Sequence, residues 1–392
     1  ESNFFRFGNT GDTSIEKHAS FIGKNIEKLV DDFTIITTIA RYAYDIITIS
    51  GSQIAIKDVK WDKIIIDEAS MINLAQIVGV ILKSSKSIDI IIAGDPFQIR
   101  PILNLPEWEG LNIYDLVELN SFKSNKTAIN GYNIHKLMTQ YRSLRNIGVL
   151  YSEYCYSSLL NHNRGALGKP KYSLFESKAL KTVNTILFPV NKDVPLYCPK
   201  YLGSSSYHLY LSIILIEWLL EFVQQFSEDS KRIGIISPYR AQSDLIFKLV
   251  NANLDKFKNN EILVSTVHGF QGDECDIIIC AFNPPKTVGT KVAINDKNIL
   301  NVAISRAKDH LIMFVPDNFN QFTELNKLIS LTNREDDIKA KLMEKTLFGT
   351  MNYIEDIIYT TAHHPINVFG KSKYKYEIRI EDDTLDIQIN ES

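Results

Sequence analysis

Two short isoleucine-rich runs in the first quarter of the chain lead into acidic and polar residues. Residues 63–66 are followed directly by Asp67 and Glu68, and residues 90–92 lead into Gly-Asp-Pro-Phe-Gln, which ends at Gln98. Both runs have the composition of strands that are buried on both faces, as in parallel sheets. The carboxyl ends of such strands are where open parallel sheets build their binding sites.

The chemistry that fits these residues is nucleotide hydrolysis. An aspartate at a strand end can hold Mg²⁺, because a hard cation prefers carboxylate oxygens. The adjacent glutamate can accept the proton of an attacking water. We therefore predict Asp67 as the metal ligand and Glu68 as the general base. For an isolated Asp-Glu pair the alternative is two solvated acids at a strand end, and the second run favours the catalytic interpretation.

Six blocks of the chain resemble the motifs of superfamily 1 helicases, and they occur in the order that the family shows. In chain order they are residues 67–70 (motif II), 94–98 (motif III), 140–142 (motif IV), 236–242 (the segment before motif V), 264–276 (motif V) and 301–308 (motif VI). Their spelling is most similar to superfamily 1B, the branch that contains the RNA-surveillance helicases. The resemblance extends from residue 1 to about residue 315.

The resemblance implies an α/β fold of two tandem RecA-like P-loop NTPase lobes with parallel sheets. It places the lobes at residues 1–130 and 131–330 and leaves an extension at 331–392. ATP and Mg²⁺ are the implied cofactors, with ATP in the cleft between the lobes. Hydrolysis would move the protein along single-stranded DNA or RNA, and both nucleic acids stay open because backbone and base-face contacts rarely distinguish them.

The same resemblance implies roles for individual residues around the nucleotide. Arg142 and Arg306 match the arginines that stabilise the transferring phosphoryl group, a task that suits the permanently charged, planar guanidinium. The other matched positions are Gln98 at the γ-phosphate, Tyr141 on the base, Glu274 near the ribose, and Gln271 between the nucleotide and the nucleic-acid track. For the two arginines, a pair of surface salt bridges is the alternative.

The expected nucleic-acid track depends most on Thr266, which matches a motif V position. Ser237, Tyr239 and Arg240 are further candidates, because hydroxyls and backbone amides bind phosphates while aromatic rings stack on bases. For Tyr239 the alternative is a plain turn with a core tyrosine.

The chain contains no Gly-x-x-x-x-Gly-Lys-Ser/Thr phosphate loop. The nearest fragment is Gly-Lys-Ser at residues 370–372, where Pro365 takes the place of the first glycine and every other motif lies upstream. We therefore expect the carboxyl-terminal part of a longer helicase, with an incomplete first lobe and poor ATP binding by this chain alone. The alternative is a non-hydrolysing nucleic-acid-binding or regulatory module that keeps the helicase shape.

The elements that would position these residues are clearest in the second half of the chain. Strands are expected at 233–237, 261–265, 276–281 and 310–315, with helices at 14–30, 209–223 and 241–250. Strands alternating with helices predict a parallel sheet. Residues 374–389 alternate polar and apolar side chains around a turn, which predicts a β-hairpin.

Composition restricts the class of protein. The 392 residues are 45% hydrophobic and 23% charged with net charge −3, so no overall basic field indicates a polyanion partner, although a local groove can still bind one. The four cysteines, Cys155, Cys198, Cys275 and Cys280, lack zinc-site spacing and are expected to be reduced, buried thiols. We expect a cytoplasmic protein, or a nuclear one if the source is eukaryotic, without structural zinc or membrane association.

Overall fold

The structure is a computed structural model whose contacts divide the chain into two units. It describes residues 6–7, 17, 21–23, 37–42, 44–49, 51–59, 61–83, 88–101, 111–119, 128–129, 132–175, 178–193, 197–226, 230–257, 260–285, 289, 292–332, 365–366, 374–381 and 384–391. The first unit comprises Glu1–Pro96 and Arg100–Asn120, and the second comprises Phe97–Ile99 and Ser121–Ser392. The division therefore lies before the boundary expected at residue 130, and two residues of motif III, Phe97 and Gln98, group with the second unit.

The first unit is built around two short strand pairs. Strands β1 (Ile46–Ile49) and β2 (Ser52–Ala55) are antiparallel. Strands β3 (Lys63–Ile66) and β4 (Asp89–Ile92) are parallel, and helix α1 (Leu74–Lys83) lies between them in the chain. The two isoleucine-rich runs are thus neighbouring parallel strands, as the sequence indicates.

One face of the β3–β4 pair is exposed in the described part of the first unit. Ile66 packs with Ile77 of α1 in a small core, whereas the side chain of Ile65 is 64% exposed and that of Ile91 is exposed as well. The expectation that both runs are buried on both faces is wrong here, because α1 and its neighbours cover only one face. The helix expected over residues 14–30 is also wrong at Phe21–Gly23, which forms a strand.

The second unit contains a five-stranded sheet in which all neighbouring strands are parallel. Its strands are β5 (Val183–Phe188), β6 (Arg232–Ser237), β7 (Glu261–Thr266), β8 (Cys275–Ala281) and β9 (Ala307–Pro316), and their order is β5-β9-β8-β6-β7. The four strands expected in this half of the chain are confirmed. The edge strand β5 was not expected, because Asn184 and Thr185 interrupt its apolar pattern.

Helices cover both faces of this sheet. They are α2 (Arg145–Cys155), α3 (Leu209–Phe222), α4 (Arg240–Asn251), α5 (Lys297–Ile304) and α6 (Thr323–Thr332). Along β8, Ile277 and Ile279 pack with α3 and α4, whereas Ile278 and Cys280 pack with α2, α5 and α6. Burial of both faces explains the nearly continuous apolar composition of β6, β8 and β9. The α/β architecture expected for the second lobe is confirmed.

Helix α3 is the most buried helix of the second unit, since all of its residues except Glu217 and Glu221 are buried. Its N-cap is His208, which is fully buried: Nδ1 accepts a hydrogen bond from the Leu211 N–H at 3.2 Å, and Nε2 donates to the Tyr197 carbonyl at 2.9 Å. The ring therefore caps the helix in its neutral form. Burial lowers the pKa of His208 to about 4.

The remaining described elements are short, apart from a hairpin near the carboxyl terminus. They are the helices Ile39–Tyr42 and Ile113–Leu116 and the strands Arg6–Phe7, Phe21–Gly23, Ala128–Ile129, Tyr132–Asn133, Thr139–Gln140, Asn161–His162, Ser173–Phe175, Lys178–Ala179, Lys200–Leu202, Ser205–Tyr207 and Pro365–Ile366. Tyr374–Glu381 and Thr384–Glu391 pair antiparallel, so the expected hairpin is present. Residues 370–372 lie outside the described residues. Within those residues, every helix is too short or too polar to cross a membrane.

Buried cysteine thiols are confirmed at three of the four positions. Cys155, Cys275 and Cys280 are buried, Cys198 is half-buried, and all four are reduced thiols. Burial raises the pKa of the Cys275 thiol to about 12.

The buried cap of α3 predicts a specific acid sensitivity of the second unit. Because the pKa of His208 falls from 6.5 to about 4 on folding, its stabilising contribution is complete above pH 6.5 and is lost as the pH falls towards 4. The loss should be on the order of 3 kcal/mol at most. His208→Asn keeps a capping side chain that does not titrate, so it should flatten this part of the profile. The measurement is urea unfolding between pH 7 and pH 4, with the exposed His135→Asn as the control that should leave the profile unchanged.

Candidate functional site

The acidic residues of the first unit lie at the carboxyl ends of β3 and β4, as expected. Asp67 and Glu68 are both exposed, and the Glu68 N–H donates to Asp67 Oδ1 at 2.9 Å. Glu68 has the left-handed backbone conformation, with φ 51° and ψ 39°. The next residue, Ala69, donates its N–H to the Ala93 carbonyl at 3.0 Å, which ties the turn after β3 to the end of β4.

Gly94 allows a tyrosine to approach these acids. Its φ is +145°, and a methyl group on it would lie 2.8 Å from Tyr114 Oη and 2.9 Å from the Ala69 nitrogen. No side chain larger than hydrogen fits there without displacing backbone atoms. Burial raises the pKa of Tyr114, and the negative charges of Asp95, Glu68 and Asp67 raise it further.

Among the described residues, two buried hydroxyls beside the acids have no hydrogen-bond partner. They are Tyr114 Oη and Ser70 Oγ. Buried polar atoms are normally paired with protein or with water, so these hydroxyls are available to a water or a bound ligand. No group of three or more histidine, cysteine or acidic ligands exists among the described residues. The donor set nevertheless fits Mg²⁺, because that ion usually takes one or two protein carboxylates and completes its shell with water and phosphate oxygens.

In the second unit, Arg142 and Glu274 form one charged cluster with Lys308. Arg142 Nε donates to Glu274 Oε2 at 2.6 Å and Nη1 donates to the Ser305 carbonyl at 3.0 Å. Lys308 Nζ lies 2.8 Å from Glu274 Oε1. Hydrogen bonds from Lys308 and Arg142 lower the pKa of Glu274. The cluster lies at the amino edge of the sheet, because β8 begins at Cys275 and β9 at Ala307.

The Gln-Tyr-Arg turn is held by its own glutamine. Gln140 Nε2 donates to the Ser143 carbonyl and the Ser143 N–H donates to Gln140 Oε1, both at 2.9 Å. The hydroxyl of Ser143 also donates to the Ala307 carbonyl at 2.6 Å, which fastens the turn to the start of β9. Tyr141, at the tip of this turn, is 67% exposed. An exposed ring at this position is available for stacking.

Arg306 has a different environment from Arg142. Arg306 is only 4% exposed, and its Nε donates to the Val302 carbonyl at 3.2 Å. The Arg142 side chain is 34% exposed. The structure therefore places the guanidinium of Arg142 at the surface and that of Arg306 in the interior, between the end of α5 and the start of β9.

Gln98 and Gln271 are brought together within the second unit. Gln271 Nε2 donates to Gln98 Oε1 at 3.0 Å. Two further amides hold the motif III segment: Asn298 Nδ2 donates to the Gln98 carbonyl at 2.8 Å, and Asn301 Nδ2 donates to the Phe97 carbonyl at 3.0 Å. Sequence reasoning missed both asparagines, although their spacing of three residues on α5 indicates a shared helix face.

The nucleic-acid candidates lie at the opposite, carboxyl edge of the sheet. Ser237 ends β6 and Thr266 ends β7. Ser237 is buried, and its hydroxyl lies 3.2 Å from Asn283 Oδ1 and accepts the Tyr239 N–H at 3.2 Å. Thr266 is half-buried, and Arg240 is 85% exposed with a long ion pair to Asp244 at 3.6 Å. Tyr239 is also half-buried, and its ring packs against the core. Arg240 is thus the most exposed member of this group, and Thr266 is partly accessible.

The two edges are separated by the length of the strands. Six residues per strand at about 3.3 Å each give a separation of roughly 20 Å between the Arg142 cluster and Thr266. Two different ligands could therefore occupy the two edges of one sheet.

Comparison with known proteins identifies this arrangement. A family model described as an AAA domain matches residues 120–317, just over half of the chain. The chain belongs to the superfamily 1 helicases. Among relatives of the helicase, "DNA replication ATP-dependent helicase/nuclease dna2" of Schizosaccharomyces pombe is 29% identical over 317 residues, which are 73% of this chain and 21% of the relative. "Helicase sen1" of the same organism is 27% identical over 286 residues, which are 68% and 15% of the two chains.

A third relative is an uncharacterized ATP-dependent helicase of Methanocaldococcus jannaschii, which is 27% identical over 307 residues. The aligned region covers 76% of this chain and 42% of the relative. The chain thus spans about a fifth of the dna2 relative and less than half of the archaeal one. The fold of the second unit is RecA-like α/β, as its parallel sheet and the matched family indicate.

The charged cluster predicts a second acid effect, which lies at lower pH than that of His208. Because Lys308 and Arg142 lower the pKa of Glu274 from 4.5, the stabilising contribution of Glu274 is present above pH 4.5 and is lost as the pH falls through the lowered value. Glu274→Gln should reduce stability at pH 7 by less than about 1 kcal/mol, since the group is partly exposed. In urea unfolding, the difference from the wild type should shrink as the pH falls below 4.5. Asp244→Asn, which breaks the longer and more exposed pair, should show no such difference.

Proposed function

We propose that this chain is the motor part of an ATP-dependent helicase or translocase that hydrolyses ATP with Mg²⁺ and moves on single-stranded DNA or RNA. The observation that carries the proposal is the Arg142 cluster, in which a partly exposed guanidinium is held at the amino edge of a RecA-like sheet. The proposal also rests on relatives whose names state ATP-dependent helicase activity. We assign the two lobes to residues 1–130 and 131–330 and the extension to 331–392.

In the first unit we assign Asp67 to the metal and Glu68 to the attacking water. Both carboxylates are exposed at the end of β3, where water can reach them. Mg²⁺, when bound, neutralises charge on the phosphate oxygens. Glu68 accepts the proton of the water as it attacks. The bond from the Glu68 N–H occupies Asp67 Oδ1 and leaves Asp67 Oδ2 for the metal.

In the second unit we assign Arg142 and Arg306 to the phosphates. The guanidinium of Arg142 is paired with Glu274, so an incoming phosphate competes with a single carboxylate, which is itself shared with Lys308. Tyr141 stacks on the base, and Glu274, once released, accepts from the ribose hydroxyls. The burial of Arg306 requires that its side chain rearrange when the nucleotide binds.

For the nucleic acid we assign Thr266 and Arg240 as direct contacts, because both are accessible at the carboxyl edge. The buried hydroxyl of Ser237 supports the turn of Tyr239, so these two residues shape the edge. Gln98 senses the γ-phosphate, and its bond to Gln271 links motif III to motif V, which supports a coupling role for this pair. An intracellular location, cytoplasmic or nuclear, follows from a single-stranded nucleic-acid substrate.

The role of Glu68 predicts that binding and hydrolysis of ATP can be separated. In the complete protein as its gene encodes it, Glu68→Gln keeps the shape of the side chain and removes the proton acceptor. Turnover should fall by roughly 10²-fold or more while ATP affinity stays near the wild-type value. Steady-state ATPase and equilibrium binding of a fluorescent ATP analogue measure the two quantities. Glu118→Gln, which changes an acid of the same unit outside the site, is the control; equal turnover of Glu68→Gln and wild type would remove Glu68 from the mechanism.

The separation of the two edges predicts different kinetic effects of their residues. Arg306→Ala should reduce basal turnover by on the order of 10³-fold, the scale seen when a phosphate-stabilising arginine is lost. Thr266→Ala should leave basal turnover unchanged and weaken its stimulation by single-stranded oligonucleotide. Steady-state ATPase rates of both variants, measured with and without single-stranded oligonucleotide, separate the effect on basal turnover from the effect on stimulation. If Thr266→Ala abolished basal turnover and Arg306→Ala did not, the assignment of the two edges would be reversed.

A further inference from the structure

Arg164 binds the backbone of the Gln-Tyr-Arg turn, and no helicase motif includes it. It follows Arg142 by 22 residues, and its Nη1 donates to the Arg142 carbonyl at 2.7 Å and to the Lys308 carbonyl at 3.2 Å. Its Nη2 donates to Asp309 Oδ1 at 2.6 Å. One guanidinium therefore joins the turn to the first residues of β9.

The side chain of Arg142 is held independently of Arg164. It is fixed by hydrogen bonds to Glu274 and to the Ser305 carbonyl. The side chain of Gln140 bonds to Ser143, and the Arg142 carbonyl accepts its hydrogen bond from Arg164. The direction in which the Arg142 side chain leaves the backbone thus depends on the hydrogen bond to its carbonyl.

The segment around Arg164 is itself fastened beside the turn. The Asn163 N–H donates to the Gln140 carbonyl at 3.0 Å, and the Arg145 N–H donates to the Gly165 carbonyl at 2.9 Å. Main-chain bonds therefore fasten the residues on both sides of Arg164 to the turn and to the start of α2. A planar, forked guanidinium on such a fixed backbone is pre-organised to hold its partners in one geometry.

We propose that Arg164 is a positioning residue for Arg142: it sets the orientation in which Arg142 meets the nucleotide phosphates. This inference rests on the proposed role of Arg142. A purely stabilising role is disfavoured because the Arg164 and Asp309 side chains are 33% and 34% exposed, and ion pairs of that exposure contribute little to stability. What Arg164 adds is geometry, and a misplacement of about 1 Å in a catalytic group can reduce the rate by about 10²-fold.

The first test is a set of variants of the complete protein. Arg164→Ala should lower kcat by roughly 10-fold to 10²-fold with little change in KM for ATP, because the loss falls on the transition state. Arg164→Lys keeps the charge but not the fork, so most of the loss should remain. Asp309→Asn removes only the ion pair and should keep nearly wild-type kcat. The melting temperatures of all three should stay close to that of the wild type.

Chemical rescue distinguishes positioning from general destabilisation. Arg164 lines a cavity of about 430 Å³ together with His162 and Gly165, so a free guanidinium ion can reach the place of the deleted side chain. Millimolar guanidinium chloride should restore part of the kcat of Arg164→Ala, whereas sodium chloride at the same ionic strength should not. A parallel loss of activity and melting temperature without rescue would overturn the proposal.

A double variant shows whether Arg164 acts through Arg142. If it does, Arg142→Ala with Arg164→Ala should be no slower than Arg142→Ala alone. A further loss equal to that of the single Arg164 variant would overturn the proposal. An Arg142→Ala protein with unchanged turnover would instead refute the proposed role of Arg142.

A measurement that does not depend on ATP turnover tests the role of Arg164 even if Arg142→Ala leaves turnover unchanged. The Nε–H resonance of Arg142, assigned with Arg142→Lys, should report its 2.6 Å bond to Glu274. In Arg164→Ala this resonance should move towards the position of a solvent-exposed arginine, and in Asp309→Asn it should not. An unchanged resonance in Arg164→Ala would show that Arg142 keeps its orientation without Arg164, which contradicts the proposal.

Discussion

Burial of both faces of the five-stranded parallel sheet is the constraint on which the second unit depends. A parallel strand needs a crossover to reach its neighbour, and each crossover helix covers one face. The alternate residues of β8 therefore enter two separate cores. Once both faces are apolar and covered, charged side chains can lie only along the two edges. In this unit, Arg142, Arg306 and Glu274 lie at the amino edge, and Thr266 and Arg240 lie at the carboxyl edge.

Electrostatics then distinguishes one edge from the other. At the amino edge, Arg142 and Lys308 share the carboxylate of Glu274, so the cluster carries more positive than negative charge. A partly exposed arginine that is held by one shared carboxylate is suited to exchange that partner for a phosphate. At the carboxyl edge the accessible groups are a hydroxyl and one arginine, which suits contacts to a nucleic-acid backbone. Within the first unit, the exposed carboxylates of Asp67 and Glu68 follow β3, and Tyr114 Oη lies next to Gly94.

Much of this arrangement was predictable from local patterns in the sequence. The apolar runs located β3, β4, β6, β7, β8 and β9, the richest apolar stretch located α3, and period-two alternation located the terminal hairpin. The pattern failed at β5, where two polar residues break the run, and at Phe21–Gly23, where a helix was expected. It also failed for the exposed face of β3 and β4, because a run of isoleucines does not show how many layers will cover it.

The sequence by itself determined which residue types are present for chemistry: the acid pair at a strand end, the Gln-Tyr-Arg turn and the motif VI arginine. These are short-range features, because a strand end or a turn is specified by residues adjacent in the chain. Only the tertiary structure decided that Arg142 meets Glu274, 132 residues away, that Arg306 is buried, and that Arg164 holds the Arg142 backbone. The physical reason is that such contacts depend on the order of strands in the sheet, and strand order arises from the packing of helices over its faces rather than from neighbouring residues.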